Sequence, residues 1–298
     1  NRPDKIVFRS GWKDDSLYAL LNLRYDGFHG YKATNSIVSL YYGAPFIVED
    51  LVKLTRNWLP KGRARVRDDN IDRQRLNGFY IKEPLLGRFF NKVDVLRTRW
   101  FQTLPRHTQT NKFYNSTIFD YSRTDIKNWL GWSNHRTCLL VGDEYFAVFD
   151  FNKGYSAKQH SIIWHVRGHY NSQNNILTQN NYKLQTSFLF DDNSSINIRS
   201  SEELSEPETV FFEPNYDIFI SSSKNHSEVV SIFAPVKNHN IRVQSKKISE
   251  KYICVSIHWQ NNSDYIIVNN NEDSVECNGI KTNASFLFVH NNELYEIK

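Results

Sequence analysis

The sequence predicts an all-β protein, built as a large antiparallel β-sandwich. Aromatic residues make up 14% of the 298-residue chain, and aromatic side chains favour strands over helices. Apolar runs are short, recur along the chain and are separated by turn-forming residues, whereas long amphipathic helix patterns are scarce. Many short strands of this kind are typical of a sandwich. Because no apolar run approaches the roughly 18 residues that cross a bilayer, we expect no membrane span.

The strands are predicted from short apolar or alternating runs. In chain order they are Leu17–Leu23, Ile37–Tyr42, Phe46–Val48, Thr137–Val141, Tyr145–Phe151, Ser161–Val166, Leu184–Phe190, Ile196–Arg199, Thr209–Phe212, Asp217–Ser221, Glu228–Ala234, Tyr252–Trp259, Tyr265–Val268, Ser285–Val289 and Glu293–Ile297. Tight hairpins are predicted at residues 142–144 and at Asn291-Asn292. The Asn-rich tracts 171–181 and 261–271 are predicted to be surface loops. Residues 1–298 are expected to form one domain, with a possible sub-boundary near residue 222.

Residues 51–110 are predicted to be a long, irregular, basic excursion from the sheet. The window 53–106 holds fourteen Lys or Arg and five Asp or Glu, a net of 14 − 5 = +9, in a chain whose total is +5. A local basic field favours a polyanionic partner, although a solvated loop is the plain alternative. Arginine forms bidentate hydrogen bonds with carboxylates and sulfates, and tryptophan stacks on sugar rings. The residues predicted to bind an acidic sugar are Trp58, Arg63, Arg65, Arg67, Arg73 and Arg75.

The three cysteines, Cys138, Cys254 and Cys277, are far apart and show no metal-type spacing. At most one disulfide is possible. Cys138 and Cys254 lie in apolar, strand-like surroundings, so buried thiols are expected there.

A glycine-flanked histidine, His29, precedes two apolar segments. Residues 24–36 read Arg-Tyr-Asp-Gly-Phe-His-Gly-Tyr-Lys-Ala-Thr-Asn-Ser and run into Ile37–Tyr42 and Pro45–Val48. A loop that opens onto a strand pair can present a proton-transfer group on a rigid platform. The alternative is a loop histidine that is hydrogen-bonded to backbone.

Three stretches, in this order, resemble the C-terminal β-sheet domain of heparinase II/III-like polysaccharide lyases. The first is Phe-Arg-Ser-Gly-Trp at 8–12 with Asp-Ser-Leu-Tyr at 15–18. The second is Gly-Phe-His-Gly-Tyr at 27–31, with Thr-Asn-Ser at 34–36 and Pro-Phe-Ile-Val-Glu-Asp at 45–50. The third is Asn-His-Arg-Thr at 134–137, which leads into the apolar runs 139–141 and 145–150.

The resemblance implies a supersandwich fold that normally follows an N-terminal (α/α) helical toroid of the same parent chain. It implies a bacterial, periplasmic or secreted lyase that cleaves a uronate-containing acidic polysaccharide, such as a glycosaminoglycan, by β-elimination. In this reaction a base removes the C5 proton, an acid protonates the leaving O4, and the uronate carboxylate must be neutralised. The resemblance implies a catalytic role for His29, and His135 could face the sugar groove, as the third stretch does. By their chemistry, Tyr31 is a second candidate for proton transfer, and Arg24 and Lys32 are candidates for binding the substrate.

The family's metal ligands are not matched in this sequence. Where the family carries a second histidine two residues after the first, this chain has Tyr31. The acidic ligand falls near Glu49 or Asp50, and the third ligand falls at Tyr114. Neutral tyrosine is a poor zinc ligand, so we expect no zinc or calcium at this position and no other cofactor.

Two other functions are alternatives to a lyase. A non-catalytic module that binds glycan or packs against a partner domain would explain the missing ligands. Nucleic-acid binding rests on charge alone, because no helix-turn-helix, RRM or zinc-finger pattern is present, and no nucleic-acid partner is expected. His160, His165 and His169 lie in a predicted strand, where their spacing does not favour a shared metal.

Overall fold

The computed structural model describes residues 3–23, 35–48, 78–81, 108–129, 132–155, 160–200, 215–237, 240–271 and 273–298. These residues form strands joined by turns, with no helix among them. Within the same ranges, no helix is long and apolar enough to span a membrane. The predicted all-β, antiparallel fold is confirmed. The predicted strand Thr209–Phe212 lies outside the described residues, and the boundary near residue 222 stays a prediction.

The described strands are numbered in chain order. The first twelve are β1 (Lys5–Arg9), β2 (Tyr18–Asn22), β3 (Ser36–Tyr42), β4 (Ala44–Val48), β5 (Gly78–Ile81), β6 (Gln109–Asn115), β7 (Phe119–Trp129), β8 (Trp132–Val141), β9 (Tyr145–Gly154), β10 (His160–Arg167), β11 (His169–Asn171) and β12 (Ile176–Gln179). The others are β13 (Tyr182–Phe190), β14 (Ser194–Ser200), β15 (Asn215–Ser222), β16 (His226–Pro235), β17 (Arg242–Ile248), β18 (Tyr252–Trp259), β19 (Asn262–Asn269), β20 (Val275–Cys277), β21 (Ile280–Thr282), β22 (Phe286–His290) and β23 (Glu293–Ile297).

An eight-stranded antiparallel sheet forms the middle layer. Its strand order is β11-β12-β13-β16-β9-β8-β7-β6. The central strand β9 begins Tyr-Phe-Ala-Val-Phe-Asp-Phe, and nearly all of its residues are buried. A strand that is apolar at consecutive positions is buried on both faces of its sheet. The centre of the eight-stranded sheet is therefore covered on both sides.

One face of this sheet packs against two four-stranded sheets, β1-β2-β3-β4 and β14-β15-β10-β5. The core between them contains Phe8, Phe46, Phe146, Trp164 and Phe233, all fully buried. The Phe8 and Phe146 rings lie 5.4 Å apart, and Trp164 meets Phe233 edge-on at 5.0 Å. We call this side of the eight-stranded sheet the first face.

The other face packs against the five-stranded sheet β17-β18-β19-β22-β23. Its core contains Tyr121, Phe149, Ile257 and Phe286, and the Tyr121 and Phe286 rings lie 4.4 Å apart. We call this side the second face. Because side chains alternate along a strand, neighbouring residues of β8 and β9 belong to different cores.

The predicted hairpins are confirmed. Gly142 has φ +44° between β8 and β9, and the Glu144 amide donates to the Val141 carbonyl at 2.9 Å. Asn291 and Asn292 have φ of 49° and 65° between β22 and β23. Both residues lie in the left-handed region that a tight two-residue hairpin requires.

Several loop predictions are wrong in part. The tract 171–181 contains β12, and the tract 261–271 contains β19, whose Asp264 is fully buried. Within 51–110, residues 78–81 form β5 and pair with β10. Asparagine-rich composition marks turns such as Asn175 and Asn180, which have positive φ, but it does not exclude the strands between them.

The prediction of a free thiol at Cys254 is wrong, because Cys254 forms a disulfide with Cys277. The short hairpin β20–β21 carries Cys277 to β18, which carries Cys254. Cys138 is a free, buried thiol, as expected, and burial raises its pKa to about 12.

Candidate functional site

The segment 24–34 contains four of the predicted site residues: Arg24, His29, Tyr31 and Lys32. These lie outside the described residues, as do Trp58, Arg63, Arg65, Arg67, Arg73 and Arg75. The structure does describe the residues that flank the segment. At one end Leu23 is fully buried; its amide donates to the Asp4 carbonyl and its carbonyl accepts from the Thr108 amide, both at 2.8 Å.

At the other end Asn35 is 2% exposed and has φ +58°, a left-handed conformation that asparagine tolerates. Its side-chain amide donates to Asn134 Oδ1 at 2.7 Å, and its Oδ1 accepts from the Thr124 hydroxyl at 2.6 Å. The Asn35 carbonyl accepts from Arg136 Nη1 at 2.7 Å. Three contacts from β7 and β8 therefore fix the backbone and side chain of Asn35.

Arg136 and Asp150 are the charged centre of this arrangement. Arg136 Nε donates to Asp150 Oδ1 at 2.8 Å and Nη2 donates to Oδ2 at 2.9 Å, and both side chains are fully buried. A bidentate pair of this kind compensates the cost of removing both charges from water. The Arg136 guanidinium also lies 5.7 Å from the centre of the Trp164 ring.

Further polar side chains extend the arrangement across the sheet. Asn134 donates to Asp150 at 3.0 Å and to Asn152 at 2.8 Å. Asn152 donates to the Ser227 hydroxyl at 3.1 Å, and His160 Nε2 lies 2.7 Å from the same hydroxyl. We call the connected set the Arg136 network; its members are Asn35, Thr124, Asn134, Arg136, Asp150, Asn152, His160 and Ser227.

The strand register explains why these residues meet. On β9, Asn152 lies opposite Asn134 and Asp150 lies opposite Arg136. On β7, the other neighbour of β8, Thr124 lies opposite Arg136. Directly opposed residues of antiparallel strands point to the same face. The network therefore lies on the first face, towards β3, whose first residue follows Asn35.

His135, the one predicted site residue within the described ranges, lies on the second face. Its Nδ1 is 2.7 Å from Asp125 Oδ1, and its side chain is 25% exposed. Burial raises the pKa of Asp125. The hydrogen bond and charge of His135, together with Arg123 and Asn111, have the opposite and larger effect, so the pKa of Asp125 is lowered overall. His135 and Asn35 are on opposite sides of one sheet, and a substrate role for His135 stays a prediction.

Asn35, Asn134, Arg136 and Asp150 lie in the stretches that resemble the lyase family, but the sequence pattern indicates no role for them. Buried polar residues in the middle of strands were the available signal, because such groups must find partners. Thr124 and Ser227 carried no signal, since their partners come from strands distant in sequence.

The family's metal position is only partly described. Tyr114, where the third ligand falls, lies on β6, is 41% exposed and packs its ring 5.2 Å from that of Phe119. Tyr31, Glu49 and Asp50 lie outside the described residues. A half-exposed phenol packed on an aromatic ring does not fit a zinc or calcium ligand.

The three histidines near β10 do not converge. His160 belongs to the Arg136 network, and the centres of the Trp132 and His160 rings lie 4.2 Å apart. His165 Nδ1 lies 2.6 Å from Asp217 Oδ1 on the neighbouring strand β15, whereas His169 is exposed. These positions agree with the strand that the sequence predicts there.

No protein-family model matches the chain, and no curated protein matches it. Solved structures do resemble it. Heparan sulfate lyase HepC from Pedobacter heparinus matches with a TM-score of 0.64 at 15% identity, over 90% of this chain and 41% of HepC. Two heparinase III structures, one of them the BT4657 gene product, match with TM-scores of 0.62 at 10% identity, over 97% and 91% of this chain.

The chain spans about two fifths of the length of these lyases, 41% and 42%. At such low identity the similarity establishes the fold and leaves the activity to be tested. The chain shares a heparinase-like β-sandwich fold with the heparan sulfate lyases to which it is similar.

Proposed function

We propose that this chain is the β-sandwich part of a polysaccharide lyase that cleaves a uronate-containing acidic polysaccharide by β-elimination. The observation that carries the proposal is the fold shared with three lyase structures over at least 90% of the chain. The ordered sequence stretches around His29, Asn35 and Arg136 support it.

In the proposed reaction a base takes the proton from C5 of the uronate. The C4–O4 bond then breaks, a C4–C5 double bond forms, and an acid protonates the departing O4. His29 and Tyr31 are proposed for these proton transfers, and Arg24 and Lys32 for neutralising the carboxylate. Further catalytic groups would come from a helical toroid of the same parent chain.

The Arg136 network contributes position rather than chemistry. Asn35 lies six residues after His29 and is fixed by Asn134, Thr124 and Arg136. Catalytic groups need placement to within a fraction of an ångström, and a fixed backbone at the end of the catalytic segment restricts where that segment can lie. Asn35 is therefore proposed as a positioning residue.

The test is release of unsaturated uronate, followed by its ultraviolet absorbance, from heparan sulfate, its unsulfated precursor, hyaluronan and alginate. The parent protein should produce it from at least one polymer. His29→Ala should abolish the product, whereas His169→Ala, at an exposed position on β11, should retain it. A folded parent protein that releases no product from any of the polymers would reject the lyase proposal.

Asn35→Ala separates positioning from binding. Loss of the side-chain amide frees the end of the segment, so kcat should fall by about 10- to 100-fold while KM changes little. An unchanged kcat in a folded variant would remove the positioning role and leave the lyase proposal standing.

A non-catalytic glycan-binding module is the second candidate. The tyrosines at two family ligand positions, Tyr31 and Tyr114, favour it, as does the net charge of +9 in residues 53–106. Binding of acidic glycans by the parent protein, without product under any condition above, would support this candidate.

We further propose a periplasmic or secreted location. The Cys254–Cys277 disulfide supports it, because structural disulfides persist mainly in oxidising compartments. Fractionation of cells that express the parent gene tests this proposal. Recovery of the protein from the cytoplasmic fraction with both cysteines reduced would contradict it.

A further inference from the structure

A second cluster of chemically active side chains lies on the second face, away from the Arg136 network. It is formed by Asp191, His226 and Glu228, whose ligand-type atoms all lie within 4.8 Å of one another. His226 and Glu228 are two residues apart on β16 and so point to the same face. Asp191 directly follows β13, whose last residue, Phe190, lies opposite Val229, so the register brings Asp191 beside Glu228.

The imidazole of His226 is oriented by a fourth residue. Its Nε2 lies 3.1 Å from Glu250 Oε1, in the turn between β17 and β18. A carboxylate at this distance accepts a hydrogen bond from Nε2–H, and in the neutral imidazole Nδ1 then carries the lone pair. Metal-binding histidines are held in this way, with the second ring nitrogen donating to a carboxylate.

The Nδ1 atom of His226 is buried and forms no hydrogen bond to the described residues. It faces the Glu228 carboxylate, whose Oε1 is 3.4 Å away and whose side chain is 3% exposed. A lone pair that faces a buried carboxylate is repelled unless a positive centre lies between them. With a neutral His226 ring, the geometry therefore places one buried acceptor nitrogen and two carboxylates within 4.8 Å of one another.

The spacing suits a divalent cation. Zinc holds nitrogen and oxygen ligands at roughly 2.0–2.2 Å, which places neighbouring ligands of a tetrahedral site about 3.4 Å apart. His226 Nδ1 and Glu228 Oε1 already have this separation of 3.4 Å. Asp191 is less buried and accepts hydrogen bonds from Asn193 and Ser194, and its carboxylate lies within 4.8 Å of the other two ligand atoms.

We propose that Asp191, His226 and Glu228 form a zinc site, with Glu250 as the carboxylate that orients His226. One imidazole and two carboxylates leave the fourth tetrahedral position for water. The bound ion would join the eight-stranded sheet, through β13 and β16, to the β17–β18 turn of the five-stranded sheet. This site is separate from the proposed lyase chemistry and does not depend on it.

The test measures zinc binding to chelator-treated protein by calorimetry, with metal content confirmed by mass spectrometry after dialysis. The parent protein should bind one equivalent that is lost in Glu228→Gln, a variant of nearly unchanged volume, and in His226→Ala. Glu250→Gln should bind about 10- to 100-fold more weakly, because it removes only the orienting carboxylate. Cobalt in place of zinc should give the intense visible absorption of a tetrahedral site.

His165→Ala is the matched control, because His165 also pairs with a carboxylate, Asp217, on a strand but lies outside the cluster. It should bind zinc as the parent does. Circular dichroism shows whether each variant is folded. Folded parent protein that binds no zinc, or equal binding in folded Glu228→Gln, would overturn the proposal.

Discussion

The guanidinium of Arg136 and the carboxylate of Asp150 form two parallel hydrogen bonds, 2.8 and 2.9 Å long, between neighbouring strands of the middle sheet, and both side chains are fully buried. Asp150→Asn removes the negative charge and leaves Arg136 charged and buried. Removing one partner of such a pair lowers the free energy of unfolding by about 3–5 kcal/mol. Urea denaturation measures the loss.

Lys237→Ala is the control for that measurement. Lys237 pairs with Asp143 at 3.7 Å, but both side chains are partly exposed, at 34% and 42%. Exposed pairs contribute at most about 1 kcal/mol. If Asp150→Asn lowers the free energy of unfolding no more than Lys237→Ala does, the buried pair is not the electrostatic centre of the network.

Gly78→Ala should also destabilise the protein, through the same arginine. A Cβ built on Gly78 lies 2.9 Å from both Nη atoms of Arg136, which other hydrogen bonds hold in place. Overpacking of this kind costs about 1–3 kcal/mol. In an Arg136→Ala background the obstacle is gone, so the cost of Gly78→Ala in urea denaturation should largely disappear. Equal costs in both backgrounds would show that the two residues do not interact.

The disulfide predicts a defined thiol count and a stability loss. Without reductant, the unfolded protein should expose one reactive thiol, Cys138, and with reductant three. Cys254→Ser with Cys277→Ser opens a loop whose ends are 23 residues apart, which lowers the free energy of unfolding by about 3 kcal/mol. Cys138→Ala should leave the response to reductant unchanged. Three reactive thiols without reductant would exclude the bond.

Stability should depend on pH through Asp264. This carboxyl is fully buried, accepts a hydrogen bond from the Tyr145 hydroxyl and lies 2.7 Å from His290 Nδ1. Burial, partly offset by these two neighbours, raises its pKa from the ordinary 3.8 to about 6. As the pH rises from about 4 to 6, Asp264 loses its proton in the unfolded state before it does so in the folded state. The free energy of unfolding therefore falls by about 3 kcal/mol over this range, and Asp264 causes no further change above it.

Asp264→Asn should remove that fall. The measurement is the free energy of unfolding of parent and variant at several pH values from 4 to 7, compared as a difference. Glu276→Gln, at an exposed acid, should retain the parent's profile. A variant profile that parallels the parent's over the whole range would assign the dependence to other groups.

The apolar strands were predictable because their own sequence carries the signal. Tyr145–Phe151 and Tyr252–Trp259 are dense in apolar residues and form the cores of β9 and β18. β7 was missed because its polar residues Ser122, Thr124 and Asp125 are buried, and the Thr124 hydroxyl finds its partner in Asn35, which is distant in sequence. Polar strands become recognisable only when the neighbouring strands are known.

For the candidate site, the sequence predicted the segments that form it but not the contacts between them. The resemblance identified the segment that holds His29 and the stretch at 134–137, but not the contacts from Asn35 to Thr124, Asn134 and Arg136 that connect them. The Asp191, His226 and Glu228 cluster needs the pairing of β13 with β16 and the β17–β18 turn, and no local spacing shows either.

The eight-stranded middle sheet separates two cores, one on each of its faces. Asn134 and Arg136 face the strands that carry the proposed catalytic segment, while His135 between them faces the disulfide-bearing layer. A scan of substitutions along β8 should therefore alternate residue by residue. Even positions would report on the side with the catalytic segment, and odd positions on the integrity of the opposite layer.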